Sequence, residues 1–153
     1  MATDEQHLLS GAALTSFKLN GQFLDVAAQL ARPAGITAAW WQVLGAVLHD
    51  PLPVAGIARE MGITRQSVQR IADLLVERGL AEYRENPAHR RAKLVAATDH
   101  GLAAVAEINP GHADFARRLA EAMGREELSR ALASMTALSE ALDVLAGQLP
   151  APD

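Results

Sequence analysis

The most restrictive feature of this chain is a pair of amphipathic runs joined by a glycine turn and followed by a basic loop. Val54, Ile57, Ala58 and Met61 repeat at helical spacing and stop at Gly62, where a helix can enter the left-handed region that glycine adopts at low cost. Thr64 is then placed to cap a second helix. Val68, Ile71, Leu74 and Leu75 line one face of that helix, and Arg65, Gln66, Gln69, Arg70 and Asp73 share the opposite face. Gly79 closes it. Leu80–Arg84 and Ala92–Ala96 read as two short strands around the loop Glu85–Arg91, which opens on Asn86-Pro87 and places Arg90, Arg91 and Lys93 at or just past its end. Few folds accept the order helix, tight turn, helix, strand, basic loop, strand.

A helix-turn-helix with a wing docks on duplex DNA, because its second helix fits the major groove and presents its first turns to base edges. The side chains suit that task. Arg65 and Arg70 can donate bidentately to guanine, Gln66 and Gln69 can pair with adenine, and Thr64 and Ser67 can reach a base or a phosphate. The alternative, a merely solvated helix face, explains the polar stripe but not the agreement of turn, cap, face and wing. Net charge is −4, which disfavours nucleic-acid binding until it is divided along the chain. From Arg59 to Lys93 there are eight basic and five acidic residues, a local balance of +3 that leaves −7 for the remainder. Charge segregated in this way offers phosphate a basic surface while limiting indiscriminate binding.

The flanks read as helices. Leu8 to Leu30 carries a broad apolar face (Leu9, Ala13, Phe17, Phe23, Leu24, Ala27, Leu30), closed by Arg32-Pro33 and Gly35. Thr37 caps a helix running to about His49, in which Trp40, Trp41, Leu44, Val47 and Leu48 cannot all face one side. Asp50-Pro51-Leu52-Pro53 forces an extended connection into the helix-turn-helix. Thr98 caps the helix after the wing, and Asn109-Pro110-Gly111 predicts a kink or break within it. Beyond Gly124, Leu128, Leu132, Met135, Leu138, Leu142, Leu145 and Leu149 recur at spacings of three and four, the seam of a helix that packs on another. Pro150–Asp153 reads as a tail.

Thr37-Ala38-Ala39-Trp40-Trp41-Gln42-Val43-Leu44, the turn Gly62–Val68, Arg78-Gly79-Leu80, and the run from Asn86-Pro87 through Arg91 to Thr98 and Gly101 together resemble the MarR family of winged-helix regulators. The resemblance covers most of the chain. It implies a mainly α fold with a small two-stranded β wing, in which a winged helix-turn-helix is flanked by N- and C-terminal dimerisation helices. The division expected is a single domain over 1–153, with a DNA-binding lobe at 37–98 and dimerisation helices at 6–31 and 99–149. The family further implies a homodimeric transcription factor, often a repressor, that binds an inverted-repeat operator and is released by a small aromatic or lipophilic effector. Leu9, Phe17, Leu128, Leu132, Met135, Leu138, Leu142 and Leu145 are the candidate dimer contacts. Phe17, Phe23, Trp40, Trp41 and Leu44 are candidate walls of an effector pocket, although large apolar residues at helical spacing more often belong to a core. The sequence departs from the family at His89, where an Asp usually precedes the tip Arg by two residues, and at Ala97. A histidine cannot hold Arg91 by the same charge-assisted bond.

Other functions find little in the sequence. There is no phosphate-cradling loop, nucleophile elbow or dinucleotide fingerprint, so no enzyme and no cofactor are expected. The five histidines include no pair at the spacing that would set two imidazoles on one helix face for a metal. Without cysteine, neither a disulfide framework nor a thiol sensor can form. An acidic N-terminus and the lack of an apolar run of about 18 residues point to a cytoplasmic protein with no membrane partner. One rival remains: a helical dimer that binds a small hydrophobic molecule or a protein, with DNA binding weak or lost.

Overall fold

The structure, a computed structural model, describes residues 1–150; the tail expected over Ala151–Asp153 lies outside the described residues. Its elements are α1 (Asp4–Ala31), a 3-10 turn (Arg32–Ala34), α2 (Ala38–Ala46), β1 (Leu52–Pro53), α3 (Val54–Met61), α4 (Arg65–Glu77), β2 (Ala81–Arg84), β3 (Leu94–Ala97), α5 (Asp99–Met123) and α6 (Arg125–Ala146). They divide into two compact units, Met1–Pro110 and the residues from Gly111 onward.

Caps explain most boundaries in the first unit. Helix α1 starts earlier than its apolar pattern predicts, because Thr3 and Gln6 form a capping box: the Gln6 N–H donates to Thr3 Oγ1 at 3.2 Å and the Thr3 N–H to Gln6 Oε1 at 2.7 Å. Thr37 caps α2 by accepting the Trp40 N–H at 3.1 Å. That helix ends at Ala46 rather than near His49; the chain leaves helical geometry at Val47, whose side chain is enclosed in the core. Gly62 terminates α3 in the left-handed region (φ 66°), with its N–H bonded to the Ala58 carbonyl. Val43, Leu44, Ile57, Val68, Leu75, Val95 and Ile108 are fully enclosed, drawing α2, α3, α4, β3 and α5 onto one core. Each such side chain stabilises the fold by roughly 1.5–3 kcal/mol relative to exposure. Leu74, expected on the apolar face of α4, is instead exposed, and Ala72 takes the buried place.

The sheet corrects the two-stranded expectation. It has three antiparallel strands in the order β1-β3-β2, with Leu52 opposite Val95, Pro53 opposite Leu94 and Tyr83 also opposite Val95. The extended Pro51–Pro53 connection thus adds an edge strand, and an edge is where a proline without an N–H is tolerated. Strand β3 begins at Leu94 instead of Ala92, because two successive turns, His89 N–H to Asn86 O and Ala92 N–H to His89 O, keep the chain turning until then.

Strand β3 leads into α5 through Thr98, whose hydroxyl donates to the Gly79 carbonyl at 2.6 Å and accepts the Gly101 N–H at 3.1 Å. The Thr98 N–H also donates to the Leu80 carbonyl at 3.2 Å. Helix and turn are so close here that a Cβ on Gly101 would stand 2.0 Å from the Leu80 carbonyl oxygen. Of the kink or break expected at Pro110, the break does not occur: α5 continues through it. The carbonyl that loses its helical donor is that of Ala106, an exposed residue at which water can supply the missing bond.

The second unit comprises the end of α5 and helix α6, joined at Gly124 (φ 93°). No residue of α6 is buried, and Leu132, Met135, Leu138, Leu142, Leu145 and Leu149 are all exposed in the single chain. In the first unit α1 likewise exposes Leu9, Phe17 and Phe23. Among the described residues no helix is long and apolar enough to cross a membrane.

Candidate nucleic-acid interface

Helix α4 turns Val68, Ile71, Ala72 and Leu75 inward, which leaves Arg65, Gln66, Gln69 and Arg70 exposed on the outer face. Thr64 starts it: its Oγ1 accepts the Ser67 N–H at 3.1 Å and donates to Ser67 Oγ at 2.9 Å. Thr64 therefore spends its proton on the cap, while Ser67 keeps its own hydroxyl proton for an outside acceptor. Strand β2 brings a further residue beside the helix. Tyr83 follows Ala81 on the same face of the strand and reaches α4, where its hydroxyl meets Asp73 and Gln69.

These parts enclose an open groove of about 580 Å³ lined by Pro53, Val54, Arg65, Gln66, Gln69, Tyr83, Arg91 and Lys93, with Ala55 and Ala92 between them. Among the described residues the side chains of Arg65, Gln66, Arg70, Arg90, Arg91 and Lys93 make no hydrogen bond or ion pair within the protein. By contrast Arg84 is held by Glu82 at 2.7 Å on β2. Exposed cations without internal partners keep their full attraction for an external polyanion. At the wing tip, His89 stands within the turns described above, and Asn86 Oδ1 accepts the Ala88 N–H at 3.0 Å in an Asx turn. Backbone turns shape this tip, and among the described residues no ion pair restrains Arg91.

Not all of the expected site residues converge on the groove. Arg65, Gln66, Gln69, Arg91 and Lys93 meet there, whereas Arg70 and Arg90 are exposed outside its lining. Tyr83 was not among the expected residues, yet strand alternation from Ala81 and its status as the sole tyrosine were signals that could have found it. The candidate pocket residues disperse. Leu44 is fully buried in the core, Trp41 is half-buried against it, and Phe17 and Phe23 are 70% and 54% exposed on α1. Trp40 alone of the five lines a second cavity, of about 210 Å³, together with Ile36, Arg78, Leu80, His100 and Glu107. There the Arg78 guanidinium stands 5.7 Å from the centre of the indole ring, within cation–π range.

Comparison with known proteins agrees with this geometry. Residues 34–92, from the turn before α2 to the wing, match the sequence model of the MarR family. Uncharacterised proteins of Mycobacterium tuberculosis and Mycobacterium bovis are 39% identical over 107 residues, covering 70% of this chain and 75% of theirs. The transcriptional repressor CouR bound to a 23-mer DNA duplex superposes with a TM-score of 0.72 at 26% identity, over 91% of this chain and 98% of that one. CouR from Rhodococcus jostii RHA1 bound to p-coumaroyl-CoA gives 0.68 at 22% identity, over 83% and 90% of the two chains. With a winged helix-turn-helix in place and its outward face carrying unpaired cations, the chain belongs to the MarR family of DNA-binding transcription regulators.

Proposed function

We propose that the protein acts in the cytoplasm as a homodimeric repressor that covers an inverted-repeat operator and leaves it when a small molecule binds. The observation that carries this reading is the groove between α4 and the wing, where Arg65, Arg91 and Lys93 face outward without partners beside Gln66 and Gln69. In this reading 37–98 is the DNA-binding lobe, and 6–31 and 99–149 supply the dimer contacts. Ser67, Arg70 and Arg90 add phosphate contacts around the base-reading residues, and Thr64 fixes the helix start that presents them. The exposed apolar residues of α1 and α6, Leu9, Phe17, Leu132, Met135, Leu138, Leu142 and Leu145 among them, are the surface that a second copy would cover, with Leu128 at the half-buried start of the seam. Two-fold symmetry then sets half-sites about one helical turn, ~10 bp, apart or at a multiple of it.

The cavity beside Trp40 is smaller than the roughly 300–1,000 Å³ common for drug-sized ligands, so it suits a compact aromatic effector. Such a molecule switches the protein only by favouring a conformation that does not fit the operator. The deciding experiment is selection of bound duplexes from a random pool, followed by titration of the selected site against salt. An inverted repeat bound with a steep salt dependence is expected. A shallow slope without a preferred sequence overturns the reading in favour of a helical dimer that serves a small hydrophobic ligand or a protein partner.

A further inference from the structure

Gln69 is the one glutamine in the groove whose side chain is already engaged within the protein. Its Nε2 donates to Asp73 Oδ1 at 3.0 Å, one helical turn along α4, and to the Tyr83 hydroxyl at 2.9 Å, across to β2. The Tyr83 hydroxyl in turn donates to the same Asp73 oxygen. Only one arrangement of protons satisfies this triangle. The Asp73 carboxylate has nothing to donate, so reversing the amide would set two acceptors against each other. Tyr83 gives its single proton to Asp73 and can therefore only accept from Gln69. Burial, and then the Asp73 carboxylate beside it, push the Tyr83 hydroxyl up to about 12, so the proton stays in place across the physiological range.

Both amide hydrogens of Gln69 are thus committed, and what the side chain has left to offer is Oε1. Resting on the DNA-binding reading above, we propose that Gln69 reads one base as an acceptor only, admitting the amino-bearing bases adenine and cytosine and rejecting guanine and thymine. Bidentate pairing with adenine needs a donor toward N7 as well as an acceptor for N6, and the triangle has used the donors. In the major groove adenine N6 and cytosine N4 are donors, whereas guanine O6 and N7 and thymine O4 are acceptors that would face the lone pairs of Oε1. Gln66, without an internal partner, keeps both functions of its amide and can read adenine bidentately. Two glutamines three residues apart on one helix therefore carry different codes, and Tyr83 and Asp73 are the positioning residues that set the difference.

The test is binding selection and titration with the parent dimer and three variants, each checked for a parental melting transition. In the parent, the position that loses preference on Gln69→Ala should take adenine and cytosine within about threefold of each other and disfavour guanine and thymine by about tenfold. Tyr83→Phe keeps the ring but frees one amide hydrogen, and should raise adenine about tenfold over cytosine at that position alone. Asp73→Ala releases the Tyr83 proton, lets the amide turn round, and should abolish the preference for amino-bearing bases. A parent that already prefers adenine tenfold over cytosine at the Gln69 position overturns the inference, as do both Tyr83→Phe and Asp73→Ala leaving the ratios unchanged. A Gln69→Ala protein with no altered position, in a parent that does select an inverted repeat, overturns the inference while the functional reading stands. If the parent selects no sequence at all, the functional reading fails and the inference fails with it.

Discussion

Gly101→Ala should destabilise the protein by roughly 2–3 kcal/mol, a magnitude that follows from three structural terms. The added Cβ would stand 2.0 Å from the Leu80 carbonyl oxygen and 3.3 Å from Leu44 Cδ2. The first contact is more than 1 Å inside the usual C···O approach of about 3.3 Å. Neither neighbour is a flexible end that can swing away: one is backbone, and the other belongs to a fully enclosed core residue. The first turn of α5 must therefore back off. Doing so strains or breaks the bonds from Thr98 to the Gly79 and Leu80 carbonyls, at 2.6 and 3.2 Å, each contributing about 1 kcal/mol. Overpacking adds about 1 kcal/mol or more. Against these stands the helix propensity gained on replacing glycine by alanine, up to about 1 kcal/mol. For a chain of this size the net loss corresponds to a fall in Tm of roughly 5–10 °C, measured at fixed protein concentration because self-association of the kind proposed would couple to unfolding. Gly45→Ala provides the matched control: that helical position is exposed and has nothing within 4 Å, so the substitution should stabilise by about 0.5–1 kcal/mol. If urea denaturation gives Gly101→Ala within 0.5 kcal/mol of the parent at unchanged m, the close approach of α5 to Leu80 is not what fixes that junction.

The remaining predictions concern the hydroxyl triangle, the wing and the dimer. Tyr83 is the only tyrosine, so tyrosinate absorbance should show a midpoint near 12 instead of the ordinary value of about 10, and Asp73→Asn should move it downward. The folded protein holds this proton after the unfolded chain has begun to release it. Its contribution to stability is therefore intact below about pH 10 and is lost as the pH rises toward 12. A midpoint at the ordinary value would mean that the triangle does not persist in solution. Arg91→Ala should lower the salt slope of DNA binding by about 0.9 per wing and weaken operators with A·T-rich flanks most, since narrow minor grooves concentrate negative potential; equal weakening at every flank would make Arg91 a plain phosphate contact. Leu142→Glu should convert the dimer to monomer in sedimentation at micromolar concentration, and an unchanged dimer would place the interface elsewhere.

What could be read from the sequence divides by the range of the interactions concerned. Gly62, Thr64 and Gly79 act within a turn of where they stand, and the helix-turn-helix they punctuate is present as expected. Thr3 and Gln6 belong to the same local class; their capping box was there to be read, and the apolar pattern of α1 drew attention away from it. The pairing of β1 with β3 joins residues more than forty positions apart, and periodicity alone cannot supply that partner. At Pro110 local rules left a kink and a break both open; they predict what proline costs a helix, while exposure at Ala106 decides that the helix is not broken there. Within the site, the polar face of α4 was legible, but Gln69 looked equivalent to Gln66. Only the fold sets Tyr83, fourteen residues away, against Gln69 and removes its donors.

Strand β3 is bonded on one side to β1, which enters α3, and on the other to β2, which leaves α4. Both ends of the reading unit are thus fastened to one strand, and the helices between them cannot splay without tearing that sheet. A displacement of β1 would therefore carry α3, α4 and the wing together, as a key turns whole in a lock. Changes to the outward side chains of α4 recut the key's teeth and leave its shaft untouched. A unit fastened in this way can change which side chains it presents outward without changing the frame that holds them.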